Sequence, residues 1–439
     1  MDLNFGARSS EALRILLTNT NRCPAPARLA IEFSKAGCDV AAIFPTTGHP
    51  LQKTRAVLQR FPYAGLRPVD SLRAAIEAVD PHLVIPCDDL AVRHLHELHA
   101  RAGSLGASGL ELSGLIERSL GSPRSYPVVS ARFDLLRVAE QQGLRVPATD
   151  RVATLADLEG WLQRQAFPCV LKADGTWGGC GVRIARSAEQ ARQFFLELTP
   201  TTGIDGWKGL ILNRDRFWRW PWRRHAKPSV IAQSYVAGRP ANCAVVSWQG
   251  RILAGVGVDV VSADGVKGPA NVVRVVDNPD MMLAAEKIAS RLGLSGFFGL
   301  DFMIEEDSGA TYLVEMNPRC TPLCHLNLGE GRDLVGALVA QLSGQPCQMS
   351  PPVTVNDMIA YFPGAWNCQS KFLTSSYQDI PQGEPELIEA LLHPWPERSL
   401  LGRAVDCVRQ QMRLGTKPNP CVFSAAVERA KSSELCQKL

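Results

Sequence analysis

Short apolar runs alternate with a segment of helical periodicity in the first 125 residues of the chain. Three runs have the length of buried strands: LRILLTNT (13–20), CDVAAIFP (38–45) and PHLVIPCDD (81–89). Between the first two, ARLAIEFSKAG (27–37) has the spacing of an amphipathic helix and ends at a glycine. This alternation predicts a small doubly wound parallel sheet. Asp88 and Asp89 end the third run, where they either line a ligand cleft or cap the following helix.

The next hundred residues predict a small α+β unit built around a glycine-rich loop. Ser130 is the expected N-cap of an amphipathic helix that stops at Gly143. The strands PCVLKA (168–173) and VRIA (182–185) flank a loop that contains Gly175, Gly178, Gly179 and Gly181. Because glycine has no Cβ, backbone N–H groups of such a loop can approach phosphate oxygens closely, and Lys172 can reach the same phosphates. Helices at 154–163 and 187–198 should cover this sheet, which can close as a lid over a triphosphate.

A predicted β-hairpin near residue 300 brings acidic side chains together. Its strands are FFGLDFMI (297–304) and ATYLVEM (310–316), and its short turn is Asp307-Ser308-Gly309. A turn centred on Ser308 places Asp301 opposite Glu315, Phe302 opposite Val314 and Ile304 opposite Tyr312. Asn317 then shares a face with Glu315, because side chains alternate along a strand. Asp301, Glu315 and Asn317 supply only oxygen ligands, which suits Mg²⁺ or Mn²⁺ better than zinc; the alternative is a solvated surface hairpin.

Composition adds few constraints. The chain has 439 residues, a net charge of +4 and 46% hydrophobic residues, which is typical of a globular protein with two to four domains. Thirteen cysteines without framework spacing predict free thiols in a reducing cytoplasm. No apolar run approaches the length of a membrane span, and the N-terminus lacks a signal-peptide pattern. The predicted location is therefore cytoplasmic.

With these residues in place, the chain resembles a known family. A strand acid followed by Glu315-Met316-Asn317-Pro318-Arg319 resembles the magnesium-binding end of the ATP-grasp superfamily, in the versions of biotin carboxylase and the carbamoyl-phosphate synthase large chain. The resemblance implies an α/β and α+β architecture. A Rossmann-like domain (1–125) would precede an ATP-grasp domain of two α+β subdomains (126–345, with its lid at about 150–232). Residues 346–439 would form a C-terminal extension of unknown role.

The resemblance also implies roles for single residues. Arg132 stands where the family usually has a phosphate-contacting lysine, and Arg319 offers a fixed positive charge to phosphate oxygens. The hinge that gives backbone hydrogen bonds to adenine would be Gln233, Ser234, Tyr235 and Val236. Lys267 and Arg274 either hold an anionic substrate group or are surface charges.

The expected activity is ATP-dependent ligation with Mg²⁺ or Mn²⁺, in which a carboxylate becomes an acyl phosphate that an amine or another nucleophile attacks. The alternatives are a bicarbonate-using carboxylase or carbamoyl-phosphate-like synthetase, and a non-catalytic ATP-binding regulatory protein. A segment rich in Trp and Arg (207–224) suggests nucleic-acid or membrane binding as another hypothesis. Because only this short stretch is basic, nucleic acid is not the expected partner. Small-molecule carboxylates and amines are expected, and a homodimer is left open.

Overall fold

The computed structural model describes residues 12–21, 23–45, 48–103, 106–174, 181–199, 229–265, 268–346 and 350–392. Within these residues the strands form three sheets: a four-stranded N-terminal sheet, a four-stranded lid sheet and a seven-stranded large sheet. No helix of the described part is both long and apolar enough to cross a membrane.

The N-terminal sheet is parallel, as predicted. Its strands are β1 (Arg14–Thr18), β2 (Asp39–Phe44), β3 (Gln59–Pro62) and β4 (Leu83–Pro86), in the order β3-β2-β1-β4. Its helices are α1 (Ala25–Lys35), α2 (Pro68–Val79), α3 (Asp89–Ala102) and α4 (Ala107–Leu120). Helix α1 packs on one face, and α2, α3 and α4 pack on the other. The central strands are apolar on both faces because both are covered.

Two helices connect this domain to the lid: α5 (Tyr126–Val129) and α6 (Arg132–Gln141). The prediction that Ser130 caps the second helix is wrong by one residue. Ala131 occupies the N-cap, and the Ser130 hydroxyl lies 3.3 Å from Nδ1 of His96 instead.

The lid sheet is antiparallel, and helices cover only one of its faces. Its elements are β5 (Thr149–Val152), α7 (Leu155–Leu162), β6 (Cys169–Ala173), β7 (Val182–Ala185), α8 (Ala188–Leu198) and β8 (Val230–Ser234). The strand order is β5-β8-β6-β7. Both helices start at capped residues, Thr154 and Ser187, which confirms the two helices predicted here. The Trp/Arg segment (207–224) lies outside the described residues.

The large sheet joins the hairpin to the C-terminal part of the chain. Its elements are β9 (Gly238–Trp248), β10 (Arg251–Ala263), β11 (Ala270–Val276), α9 (Pro279–Leu292), β12 (Gly296–Glu305), β13 (Thr311–Asn317), α10 (Leu334–Ser343), β14 (Met358–Tyr361), α11 (Gly364–Asn367), β15 (Tyr377–Asp379) and α12 (Pro385–Leu392). The order is β13-β12-β9-β10-β11-β14-β15. Helices α6 and α9 cover one face. Helices α1, α10 and α12 share one core cluster with the other face, so the N-terminal domain packs directly on the large sheet. The chain beyond Pro351, which the sequence left unassigned, thus supplies two strands of the large sheet, and the second of them, β15, is at its edge.

The hairpin contains a β-bulge that the sequence did not show. Asp301 lies opposite Glu315, as predicted. Phe302 pairs with Leu313 and Ile304 with Thr311, so the two predicted pairings nearer the turn are wrong by one residue. The register shifts between Asp301 and Phe302, and Val314 is the extra residue.

Candidate functional site

Two partly buried carboxylates and two carboxamides meet near the edge of the large sheet. Asp301 and Glu315 are cross-strand neighbours, and Asn242 of β9 is in register with Asp301 on the other side. Nδ2 of Asn242 donates to Oδ1 of Asp301 at 2.6 Å, and Nδ2 of Asn317 donates to Oδ2 at 3.0 Å. Burial, together with the charge on Glu315, raises the pKa of Asp301 to about 6. The site therefore holds more negative charge than its burial favours.

The oxygen donors of this site fit a hard divalent cation. Asp301, Glu315 and Asn317 point to one face of the sheet, where two carboxylates repel one another unless a cation lies between them. The described residues contain no cluster of three or more His, Cys, Asp or Glu side chains suited to a metal, so a third protein donor beside the two carboxylates would be the amide oxygen of Asn317. Sequence reasoning missed Asn242, because its contact with Asp301, 59 residues later in the chain, depends on the pairing of β9 with β12.

Arg132 joins three elements around these carboxylates. It is the first residue of α6, and its guanidinium donates to Oε1 of Glu315 at 2.5 Å, to Oδ1 of Asp174 at 3.3 Å and to the carbonyl of Ala173 at 3.3 Å. Burial opposes the charge on Arg132, but the two carboxylates outweigh it and raise the pKa of the guanidinium. Its buried Nε has no hydrogen-bond partner among the described residues. The arginine thus ties the lid to the large sheet.

The lid sheet and the large sheet face each other across a space that we call the cleft. Lys172 reaches across this cleft from the uncovered face of the lid sheet. It lies on β6, and its Nζ is 3.4 Å from the carbonyl oxygen of Val314, the bulged residue. Burial lowers the pKa of Lys172 to about 8, although Glu315 acts in the opposite direction. The bulge turns a backbone carbonyl toward this ammonium, which places the lysine beside the paired carboxylates.

The predicted hinge residues divide into three kinds. Gln233 is buried on the same lid face as Lys172 and donates to the hydroxyl of Thr149 at 3.1 Å. Ser234 is in register with Cys169, a residue of the lid core, so its side chain lies on the opposite face. Tyr235 and Val236 belong to the short link between β8 and β9, and no described residue hydrogen-bonds to the backbone N–H group of either. Both N–H groups are therefore available to donate a hydrogen bond to a ligand.

Arg319 connects the large sheet to the N-terminal domain. Its Nε lies 3.2 Å from Oδ1 of Asp89, and its Nη2 donates to Oδ1 of Asn317 at 3.1 Å. Burial opposes its charge, but Asp89 raises the pKa of Arg319 above the ordinary value. Asp88 is the N-cap of α3 and accepts from the backbone N–H of Ala91 at 2.9 Å. Of the two aspartates left open by the sequence, Asp88 is therefore the cap and Asp89 faces the cleft.

The structure does not bring every predicted residue to this cleft. Arg274 is in register with Asp259, which leads through Ala241 to Phe302, and this row faces away from Asp301. Its Nε instead lies 3.5 Å from a carboxylate oxygen of Asp357. Gly181 closes the glycine-rich loop by accepting a hydrogen bond from the backbone N–H of Ala173. The remaining predicted residues, Gly175, Gly178, Gly179 and Lys267, lie outside the described part of the chain.

The residues around this cleft are similar in sequence to known proteins. The family described as the ATP-grasp domain matches residues 130–322, which include α6, the lid, the hinge and the paired carboxylates. Carbamoyl-phosphate synthase of Methanobrevibacter smithii is 21% identical over 222 residues, which cover 46% of this chain and 52% of that protein. The chain thus matches about half the length of this curated relative.

Solved structures with the same architecture support the fold. An ADP complex of N5-carboxyaminoimidazole ribonucleotide synthetase has a TM-score of 0.55 and 14% identity, over 78% of this chain and 79% of that chain. An L-amino acid ligase from Bacillus licheniformis has a TM-score of 0.52 and 14% identity, over 78% of each chain. Biotin carboxylase from Campylobacter jejuni has a TM-score of 0.55 and 13% identity, over 78% of this chain and 72% of that chain.

Proposed function

We propose that this chain, whose residues 130–322 match the ATP-grasp domain family, is an ATP-dependent, ADP-forming ligase that activates a carboxylate for attack by an amine. The observation that carries the proposal is the convergence of Asp301, Glu315, Asn317 and Lys172 between the lid and the large sheet. Such an arrangement combines oxygen ligands for a divalent cation with a cation for phosphate. These are the requirements of phosphoryl transfer, which needs positioning and charge neutralisation more than a protein nucleophile.

In this proposal the lid side of the cleft binds the nucleotide. Lys172 and the glycine-rich loop, including Gly175, Gly178, Gly179 and Gly181, contact the phosphates. The free N–H groups of Tyr235 and Val236 contact the adenine. Gln233, buried on the cleft face, is placed to contact adenine or ribose, whereas the Ser234 side chain is not. Arg132 is already in the cleft and can exchange its carboxylate partners for phosphate oxygens.

The large sheet would supply the metal and acceptor side. Asp301, Glu315 and Asn317 would hold Mg²⁺ or Mn²⁺, with Asn242 orienting Asp301. When bound, the metal neutralises phosphate charge as the γ-phosphoryl group moves. Arg319 orients the acceptor, whose carboxylate oxygen forms a bond to the γ-phosphorus while ADP leaves. The amine then attacks the acyl carbon and inorganic phosphate leaves. In this proposal Arg274 and Lys267 have no assigned contact.

The test is ADP formation with Mg-ATP and a panel of carboxylates and amines, followed by the mass of the product. Glu315→Gln should abolish acceptor-dependent ADP formation, because the metal site loses a charge. Glu306→Gln, at the exposed turn of the same hairpin, is the matched control and should retain activity. Full activity of Glu315→Gln, or no ADP formation by the unaltered protein with any acceptor, would contradict the proposal.

Bicarbonate is a second candidate for the activated carboxylate. The curated relative is a carbamoyl-phosphate synthase, and one similar structure is a biotin carboxylase. Bicarbonate-dependent ADP formation that needs no organic acid would favour this candidate over an organic acceptor.

A further inference from the structure

One arginine at the cleft has no role in the proposed nucleotide and metal contacts. Arg93 lies on α3 one helical turn after Asp89, so the two side chains share a face of the helix. Asp89 in turn binds Arg319 at 3.2 Å. Arg93 is therefore on the N-terminal wall of the cleft, next to the charge that would orient the acceptor.

Arg93 lacks a partner of its own in the described part of the chain. It is partly buried, yet its guanidinium makes no ion pair within 4.0 Å and no hydrogen bond with the described residues. Arg101, on the same helix, is more exposed and pairs with Glu97. Burial lowers the pKa of Arg93, and Asp89, Asp174 and Asp88 only partly offset it. A partly buried guanidinium with five unused donors is costly unless an anion binds to it.

The anion that Arg93 can bind differs from those already assigned. The phosphates have Lys172 and Arg132 on the lid side, and the reacting carboxylate has Arg319 on the large sheet. We propose that Arg93 determines acceptor specificity by binding a second anionic group of the acceptor, remote from the carboxylate that reacts. The acceptor class is then a dianionic acid, either a dicarboxylate or a phosphorylated carboxylic acid. This inference rests on the proposed ligase function of the same site.

Matched pairs of acids test the inference. Succinate against butyrate, and 3-phosphoglycerate against glycerate, differ chiefly in the second anionic group. With a non-hydrolysable Mg-ATP analogue present, thermal shift should report tighter binding of one dianion than of its partner, roughly tenfold or more for a charge-assisted hydrogen bond. The pair that shows the difference identifies the second group as carboxylate or phosphate.

Variants of α3 separate this role from a nucleotide contact. Arg93→Ala should remove the difference within the responding pair and raise KM for the acceptor. It should leave the Kd for Mg-ADP unchanged. Arg93→Lys should restore part of the difference, and Arg101→Ala should change nothing. Equal binding within both pairs, or an Arg93→Ala effect on Mg-ADP binding instead, would overturn the inference. Failure of the ligase function would appear separately, as no ADP formation with any acceptor although the dianion preference persists.

Discussion

Lys172 gives the sharpest test of the proposed phosphate contact. Its ammonium is buried between the lid and the large sheet, and its pKa is lowered to about 8. An anion can bind strongly only while the lysine is protonated. Nucleotide affinity should therefore fall as pH rises through this pKa, whereas an exposed lysine would show no change until well above pH 9.

The size of the effect follows from the pKa. The apparent Kd varies inversely with the protonated fraction of Lys172, which falls about tenfold between pH 7 and pH 9. Mg-ADP should therefore bind about tenfold more weakly at pH 9 than at pH 7. The same lowered pKa has a consequence for the free protein. The charged form is disfavoured in the folded state, so this group's contribution to stability is unfavourable below pH 8 and is relieved as pH rises toward 10.5. Lys172→Met should stabilise the free protein at pH 7 by up to about 3 kcal/mol while weakening nucleotide binding.

The assay is isothermal titration of Mg-ADP at a series of pH values with saturating Mg²⁺. Lys172→Arg is the matched control, because arginine stays charged throughout and its affinity should be independent of pH. A flat profile for the unaltered protein, or an equal decline in Lys172→Arg, would refute the reasoning and move phosphate binding to other residues.

Asp301, Arg132 and Gly238 give three further tests. Because the pKa of Asp301 is raised to about 6, protons compete with the metal below that pH, so half-maximal ADP formation should need more Mg²⁺ at pH 5 than at pH 7. Arg132→Ala leaves the two carboxylates that Arg132 bridges without their ion-pair partner, so it should lower the free energy of unfolding, measured by denaturant titration, by about 3 kcal/mol. The exposed Arg137→Ala should change it little. A Cβ at Gly238 would lie 2.0 Å from a carbonyl oxygen of β12, so Gly238→Ala should lower the free energy of unfolding by about 1–3 kcal/mol. Gly160→Ala is the control, because a Cβ at Gly160 would meet no atom within 4 Å.

Local patterns in the sequence were enough for much of the fold and part of the site. The parallel N-terminal sheet was predictable from apolar runs that alternate with a helical pattern. Each run can be recognised as a strand from its own residues alone. The pairing of Asp301 with Glu315 followed from one short turn. Gln249 and Gly250 both have positive φ, as a type I′ two-residue turn between β9 and β10 requires.

Non-local pairing decided the features that the sequence did not show. Asn242 contacts Asp301 only because β9 pairs with β12, and no short-range pattern contains that information. The Val314 bulge compensates for a turn one residue off-centre, which is why the wrong pairings lie near the turn and the carboxylate pair is unaffected. The sequence left Arg274 open between a substrate contact and a surface charge, and alternation along its strand turns it to the face away from Asp301.

In the proposed function, the charges of the cleft give a reason why a divalent metal would be required. Four cationic side chains face four carboxylates there: Arg93, Arg132, Lys172 and Arg319 against Asp89, Asp174, Asp301 and Glu315. The protein alone is therefore close to neutral and cannot balance the roughly four negative charges of a nucleoside triphosphate. Bound phosphates would also compete for Arg132, whose release would leave Glu315 without its ion-pair partner. Asp301 and Glu315 would solve both problems by holding divalent cations, which would replace the arginine at the carboxylates and neutralise phosphate charge.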